Sequence, residues 1–187
     1  MGLDSTLTLP VAAGVHHGSA ADRTRLRKAF DKNYVPIWRF LRRMGLAPDR
    51  ADDAAQQIFL IAFEAMARIQ SGSERSFLYG TAVRLVHGIR RRSKREVATD
   101  GLEWLSSAMP PPDQLADQKK ARDVLDAIID SLDPDARTVF VLAEFDGFTT
   151  PEIARLLDVP LGTAASRLRR ARDKFQTLVR GVYGDEP

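Results

Sequence analysis

Three consecutive prolines, Pro110 to Pro112, divide this chain. Each fixes its own backbone angle and withholds an N–H, so no helix interior or central strand can run through them. The stretch around them, residues 97–114 (VATDGLEWLSSAMPPPDQ), has no helical period. It reads as a flexible inter-domain linker. A length of 187 residues allows one ordinary domain or two small ones, and the prolines favour two.

Both flanks carry helical patterning and neither is rich in strand formers. Residues 1–21 are small and polar with no sustained period, and read as a flexible tail. Asp22 is a candidate cap for a first helix, which bends near Pro36 and stops near Gly45. In the next helix Asp49, Asp52 and Asp53 fall in the first turns, where the helix dipole favours negative charge. Ala55, Phe59, Ala62, Met66 and Ile69 follow at helical spacing. After the loop QSGSE, a third helix runs from about Arg75 into a basic stretch ending near Arg95.

Beyond the linker, Val124, Leu125, Ile128, Ile129 and Leu132 form an apolar stripe. Asp133-Pro134 supplies an N-cap followed by proline at the first helical position. Val139, Phe140 and Ala143 face the core, and Gly147 closes that helix. Thr150-Pro151 repeats the cap-and-proline start. The expected fold is all-α: one bundle over 22–96, the linker, a second bundle over 115–181, and a short tail at 182–187.

Charge narrows the function. Formal net charge is only +3, from 28 basic and 25 acidic residues, but the basic residues cluster. Arg84, Arg90, Arg91, Arg92, Lys94 and Arg95 stand with no acid among them. Arg167, Arg169, Arg170, Arg172 and Lys174 form a second group. Two basic segments far apart in sequence suggest one polyanion held at two points. The chain has no cysteine, which excludes disulfides, thiol catalysis and Cys-based zinc sites. No His or third carboxylate stands at ligand spacing from Asp52 and Asp53, so that pair is not read as a metal or hydrolytic site. His87 reads as a surface or phosphate-facing residue. No catalytic residue, metal, cofactor or small-molecule substrate is expected. No apolar run approaches the roughly 18 residues a membrane span needs, and no secretion signal is evident. MGLDST at the N-terminus formally matches an acylation pattern too short to weigh.

The segment TPEIARLLDVPLGTAASRLRRAR has the layout of a helix-turn-helix. A short helix carries Ile153, Ala154, Leu156 and Leu157. A tight turn follows at Asp158 to Pro160, with Asp158 expected in left-handed geometry. The second helix places Leu161, Ala164, Ala165, Leu168, Ala171 and Phe175 on one arc. Thr163, Ser166, Arg169 and Arg170 lie opposite, with Arg167 beside them. Ser166 and Arg170, four apart, share a face. Such a face suits a major groove, where arginine bonds guanine bidentately and serine meets base edges or phosphate. The plainer reading is a solvated basic face.

Three local patterns in order resemble the ECF (extracytoplasmic function) group of bacterial RNA polymerase sigma factors, over residues 22–181. The first is ADDAAQQIF, residues 51–59. It is similar to the helix with which the family's domain two binds the clamp of the polymerase β′ subunit. Asp53, Gln56 and Phe59 match; Gln57 replaces the usual acid and Ala54 the usual leucine. The second is SFLYGTAVRLVHGIRRRSKR, residues 76–95, which resembles the segment that binds and opens the −10 element. Phe77 and Tyr79 are the candidate stacking aromatics, although a core role suits both equally. Arg84, Arg90, Arg91, Arg92, Lys94 and Arg95 are the candidate phosphate contacts. Arg84 and Gly88 depart from the family's usual Asn and Asp. The third, residues 132–172, resembles domain four, which reads the −35 element; Ala165 replaces a usual basic residue.

The resemblance implies a non-enzymatic promoter-specificity subunit whose partners are core RNA polymerase (the β′ clamp and the β flap) and promoter DNA. It implies a cytoplasmic location. It also implies an anti-sigma partner, which is often membrane-bound. A stand-alone helix-turn-helix regulator explains residues 132–175 as well but leaves ADDAAQQIF without a role. A sigma-like adaptor that binds polymerase without opening promoters is a third reading.

Overall fold

The computed structural model describes residues 19–97 and 114–183, with side chains described up to residue 92 and again over 121–182. Most of the expected linker, the tail up to residue 18 and residues 184–187 lie outside the described residues. Seven α-helices form most of the rest, with no strand among the described residues.

Helix α1 spans Ala20–Arg43 and runs through Pro36. Its cap is Ser19, not Asp22. Ser19 Oγ accepts from the Asp22 N–H at 3.1 Å, while the Asp22 carboxylate accepts from the Ser19 N–H at 3.1 Å. This capping box starts the helix inside the segment expected to be tail. At the other end the Gly45 N–H bonds to the Arg42 carbonyl and the Leu46 N–H to that of Leu41. Gly45 has φ +92°, and Leu46 is buried. That is a Schellman stop, which requires the left-handed residue that glycine supplies without strain. Helix α2 spans Pro48–Ala65, and a 3-10 turn follows at Met66–Arg68. Helix α3 is Glu74–Val97. All five residues of the predicted α2 stripe, Ala55 to Ile69, are buried.

In the second half, α4 spans Gln114–Asp130 and α5 spans Pro134–Glu144. Asp133 caps α5 by accepting from the N–H groups of Asp135 and Ala136. Helix α6 spans Thr150–Leu157. Its cap is Thr149, one residue before the threonine expected from sequence. The Glu152 carboxylate accepts from the Thr149 N–H at 2.8 Å and from its hydroxyl at 2.7 Å. Two adjacent threonines offer the same cap chemistry, and only Thr149 stands three residues before a glutamate. Helix α7 runs Leu161–Tyr183.

The two bundles are docked on one another and share one core. Tyr79 of α3 lies edge-on between Phe40 of α1, at 5.4 Å, and Phe148 of the α5–α6 turn, at 4.9 Å. Arg43 stacks 4.1 Å over Phe145, and Arg75 stacks 4.0 Å over Phe148. Cationic planes over aromatic faces suit a contact that is partly wet at its edge. Sequence periodicity finds the apolar face of each helix but not the module that covers it.

Candidate nucleic-acid interface

The turn between α6 and α7 is built on Asp158, at φ +52° and ψ +51°; it is the one non-glycine residue with positive φ among the described residues. Its N–H reaches back to the last turn of α6, and the Val159 N–H bonds to the Ala154 carbonyl at 3.0 Å. The Pro160 carbonyl accepts from the Thr163 and Ala164 N–H groups and so opens α7. Ala164, Leu168 and Ala171 are buried. Phe175 packs 4.9 Å from Phe140. Leu161 and Ala165, expected on this arc, are exposed instead. The first turn of α7 projects past the body that buries the later turns.

The opposite face carries the expected reading residues. Arg169 and Arg170 are exposed, and Thr163 and Ser166 are half-buried. Ser166 Oγ donates to the Thr163 carbonyl at 3.0 Å. Arg167 pairs with Asp135 of α5 at 2.5 Å. A surface pair of this kind contributes about 0–1 kcal/mol, so exchange for a phosphate costs little. Arg172 pairs with Glu144 at 2.7 Å, and Lys174 donates to the Ser131 carbonyl. These last two belong to the bundle rather than to a free basic surface.

Helix α3 divides its candidates. Arg84, Arg91 and Arg92 are exposed, and Arg84 donates to Thr81 Oγ1 at 3.2 Å. Arg84 also borders a groove of about 870 Å³ between the modules, shared with Ile61, Phe77, Glu152 and Arg155. Arg90 is half-buried and donates to the Met44 carbonyl at 2.9 Å. Burial lowers its pKa against the pull of Asp130 and Asp135. His87 is also half-buried; burial pushes its pKa down, Asp135 opposes, and Arg90, Arg91 and Arg167 add to the fall. The backbone of Lys94 and Arg95 continues α3; their side chains lie outside the described ones. Phe77 is half-buried against Met66 and Ile69. Tyr79 is 1% exposed, so in this closed form it is core and presents no face to a nucleic acid. Its hydroxyl donates to Asp146 at 2.7 Å, and burial, with Asp146 beside it, raises its pKa.

On α2, Asp53, Gln56 and Gln57 are exposed together. Phe59 is turned inward, 4.9 Å from Phe30 and 5.9 Å from Tyr34. The sequence reading missed Leu60 and Phe63, 62% and 46% exposed on the same outer face. Leu60 stands three, four and seven residues beyond Gln57, Gln56 and Asp53, and Phe63 seven beyond Gln56, at helical spacing. Two large apolar residues among these polar positions were the available signal.

Two family models match the chain: Sigma-70 region 2 over residues 29–96 and Sigma-70 region 4 over residues 122–175. The ECF RNA polymerase sigma factor SigE of Mycolicibacterium smegmatis is 27% identical over 143 residues, covering 75% of this chain and 56% of that protein. The chain therefore spans little more than half the length of that relative. The ferric citrate uptake sigma factor FecI of Escherichia coli is 29% identical over 188 residues, covering 96% of this chain and 95% of its own. The ECF RNA polymerase sigma-E factor of Escherichia coli is 32% identical over 143 residues, covering 68% and 75%. Among solved structures, the sigma factor RpoE bound to the anti-sigma factor NepR from Bartonella quintana superposes with a TM-score of 0.69 at 22% identity, over 82% of this chain and 96% of that one. CnrH bound to the cytosolic domain of CnrY gives 0.62 at 21% identity, over 86% and 98%.

Proposed function

The chain belongs to the ECF group of RNA polymerase sigma factors, and from that premise we propose that it binds core polymerase and directs it to promoters by their −10 and −35 elements. The observation that carries this reading is the pairing of two surfaces on one chain. One is the α7 face bearing Thr163, Ser166, Arg169 and Arg170 behind a left-handed turn. The other is the outer face of α2, where Asp53, Gln56 and Gln57 adjoin exposed Leu60 and Phe63. A regulator that acts on DNA alone has no use for the second surface.

In this reading the α2 face docks on the β′ clamp, and the α4–α7 module meets the β flap and the −35 element. Arg84, Arg91 and Arg92 hold phosphates beside the −10 element, and Phe77 assists strand separation. The polymerase supplies the catalysis; the chain itself is no enzyme. No helix among the described residues is long and apolar enough to cross a membrane, and we place the protein in the cytoplasm with its polymerase. One solved neighbour is bound to an anti-sigma factor and the other to the cytosolic domain of CnrY; the first supports an anti-sigma partner here. Two weak DNA contacts on one subunit make binding depend on both being engaged, an effective-concentration effect.

Co-elution of the purified chain with core RNA polymerase on a sizing column, without DNA, tests the reading. A stoichiometric complex that gives run-off transcription from duplex promoters is expected. Sequence-specific DNA binding with no polymerase complex would move the chain to the stand-alone regulators. A complex active only on pre-opened promoters would make it an adaptor.

A further inference from the structure

Helix α7 opens with an exposed surface that is apolar. Of residues 161–168 only Leu161, Gly162 and Ala165 are exposed, and none has a polar side chain. Leu161 is 54% exposed. Leu161, Ala165 and Arg169 follow one another at intervals of four, so they form one stripe down the helix. The polar residues of these turns are less available. Thr163 and Ser166 are half-buried, and the Ser166 hydroxyl donates to the Thr163 carbonyl at 3.0 Å. Exposed arginines on α7 begin only at Arg169 and Arg170.

A single exposed leucine is ordinary on a protein surface, but two features set this one apart. No acidic residue stands between Leu161 and Arg172, so the apolar pair runs straight into the exposed cations of Arg169 and Arg170. That combination suits a polyanion that also carries an apolar group. Gly162 is the second feature. A Cβ there would meet nothing within 4 Å, and its φ is not in the left-handed region. Neither packing nor backbone geometry calls for glycine, which weakens a helix relative to alanine. The missing Cβ allows a closer approach of the helix to a partner.

The chemistry of base edges selects the contact. In the major groove every base pair presents hydrogen-bonding groups, and only thymine adds a methyl group. An apolar side chain laid on a polar edge strips it of water and returns no hydrogen bond. Laid on the thymine C5-methyl, it removes apolar surface from water.

We propose that Leu161, extended by Ala165 and admitted by Gly162, reads the C5-methyl of one thymine in the −35 element. The proposal rests on the promoter-recognition reading above and adds a thymine to the contacts of Ser166, Arg169 and Arg170.

Holoenzyme reconstituted from the full chain and core polymerase first selects duplexes from a pool randomised over the −35 element. Each thymine of the selected element, on either strand, is then exchanged in turn for deoxyuridine. That exchange removes the methyl and leaves the pairing edge intact. One such exchange is expected to lower affinity about fourfold, the share of one buried methyl group. Leu161→Ala is expected to lower affinity for the thymine duplex by at least about the same factor and to be blind to that exchange. Its urea midpoint is expected to match the parent's, because Leu161 buries little in the free chain. Gly162→Ala is expected to raise the urea midpoint and yet to lower affinity several-fold. A parent blind to every exchange would overturn the contact, as would a penalty equally large in the parent and in Leu161→Ala. Parental affinity in Gly162→Ala would overturn the close approach on which the contact depends. A chain that forms no complex with polymerase is assayed alone, on duplexes it selects itself. Discrimination of thymine from deoxyuridine there would sink the sigma reading and leave the methyl contact standing.

Discussion

Arg137 of α5 donates through Nε to the backbone carbonyl of Arg43, 2.6 Å away and 94 residues earlier in the chain. The same guanidinium pairs with Asp130, and the side chain is nearly buried. Burial pulls its pKa down, and Asp130 opposes that pull. One residue therefore satisfies the end of α1 and the end of α4 together. Arg137→Ala leaves the Arg43 carbonyl without its donor at a buried contact. Asp130 is 60% exposed and can return to water, which limits the loss. A destabilisation of about 2 kcal/mol is expected, read from the urea midpoint of the full chain. An unchanged midpoint would mean that the modules do not dock this way in solution.

Asp158 gives a prediction of opposite sign. Left-handed backbone is costly for residues with a Cβ, less so for Asp, and free of that cost for Gly. Asp158 is exposed and stands at the left-handed C-cap of α6. Asp158→Gly is expected to stabilise the domain-four module by a few tenths of a kcal/mol up to about 1. Asp158→Val is expected to destabilise it by at least about 1 kcal/mol. Thermal melts of both variants check the pair. Equal melts would mean that the turn relaxes out of the left-handed region.

These two residues mark how far the sequence was legible. Asp158, the Asp133-Pro134 start and the buried positions Ala164, Leu168 and Ala171 follow from local rules of turns, caps and helical period. Arg137 does not. A basic residue, even one only two positions before the predicted core residue Val139, looks like surface, and only the docked partner makes it interior. Tyr79 shows the same limit: pattern alone left it equally suited to core and to stacking on bases. Leu161 was misread for the complementary reason, since it has the right phase for the core but lies past the end of the body that forms it. Local chemistry fixed the helices; contacts between the modules decided which residues are spent on folding and which are left for a partner.

Leu60 and Phe63 are the apolar residues that folding leaves outside on α2. If that face docks on polymerase, burying Leu60 contributes about 1.5–3 kcal/mol. Leu60→Ser is expected to weaken the complex with core polymerase by roughly ten- to a hundredfold, with the melt of the free chain within about 0.5 kcal/mol of the parent. A competition assay against a labelled parent chain measures this. Unchanged affinity would place the polymerase contact on another face.

Three arginines on the DNA-facing helices should separate by role. Arg170 is exposed on α7 and shares a face with Ser166, so Arg170→Ala is expected to cost about 1–3 kcal/mol of −35 discrimination. Arg91 is exposed on α3 and contacts no base in this reading. Arg91→Ala is expected to weaken binding evenly across promoter sequences and to reduce the salt slope by about one ion. Arg90 sits beside it in sequence but is spoken for: it is half-buried and holds the Met44 carbonyl at 2.9 Å. Arg90→Ala should therefore appear first in the melt, with a loss of about 1–3 kcal/mol, while the salt slope of the surviving folded chain stays near that of the parent. Holoenzyme binding to matched and mismatched −35 duplexes, across a salt series and alongside urea melts, gives all three readings at once. If Arg90→Ala and Arg91→Ala shift the salt slope equally and neither shifts the melt, Arg90 is free for DNA and the closed packing of α3 against α1 is not its resting place.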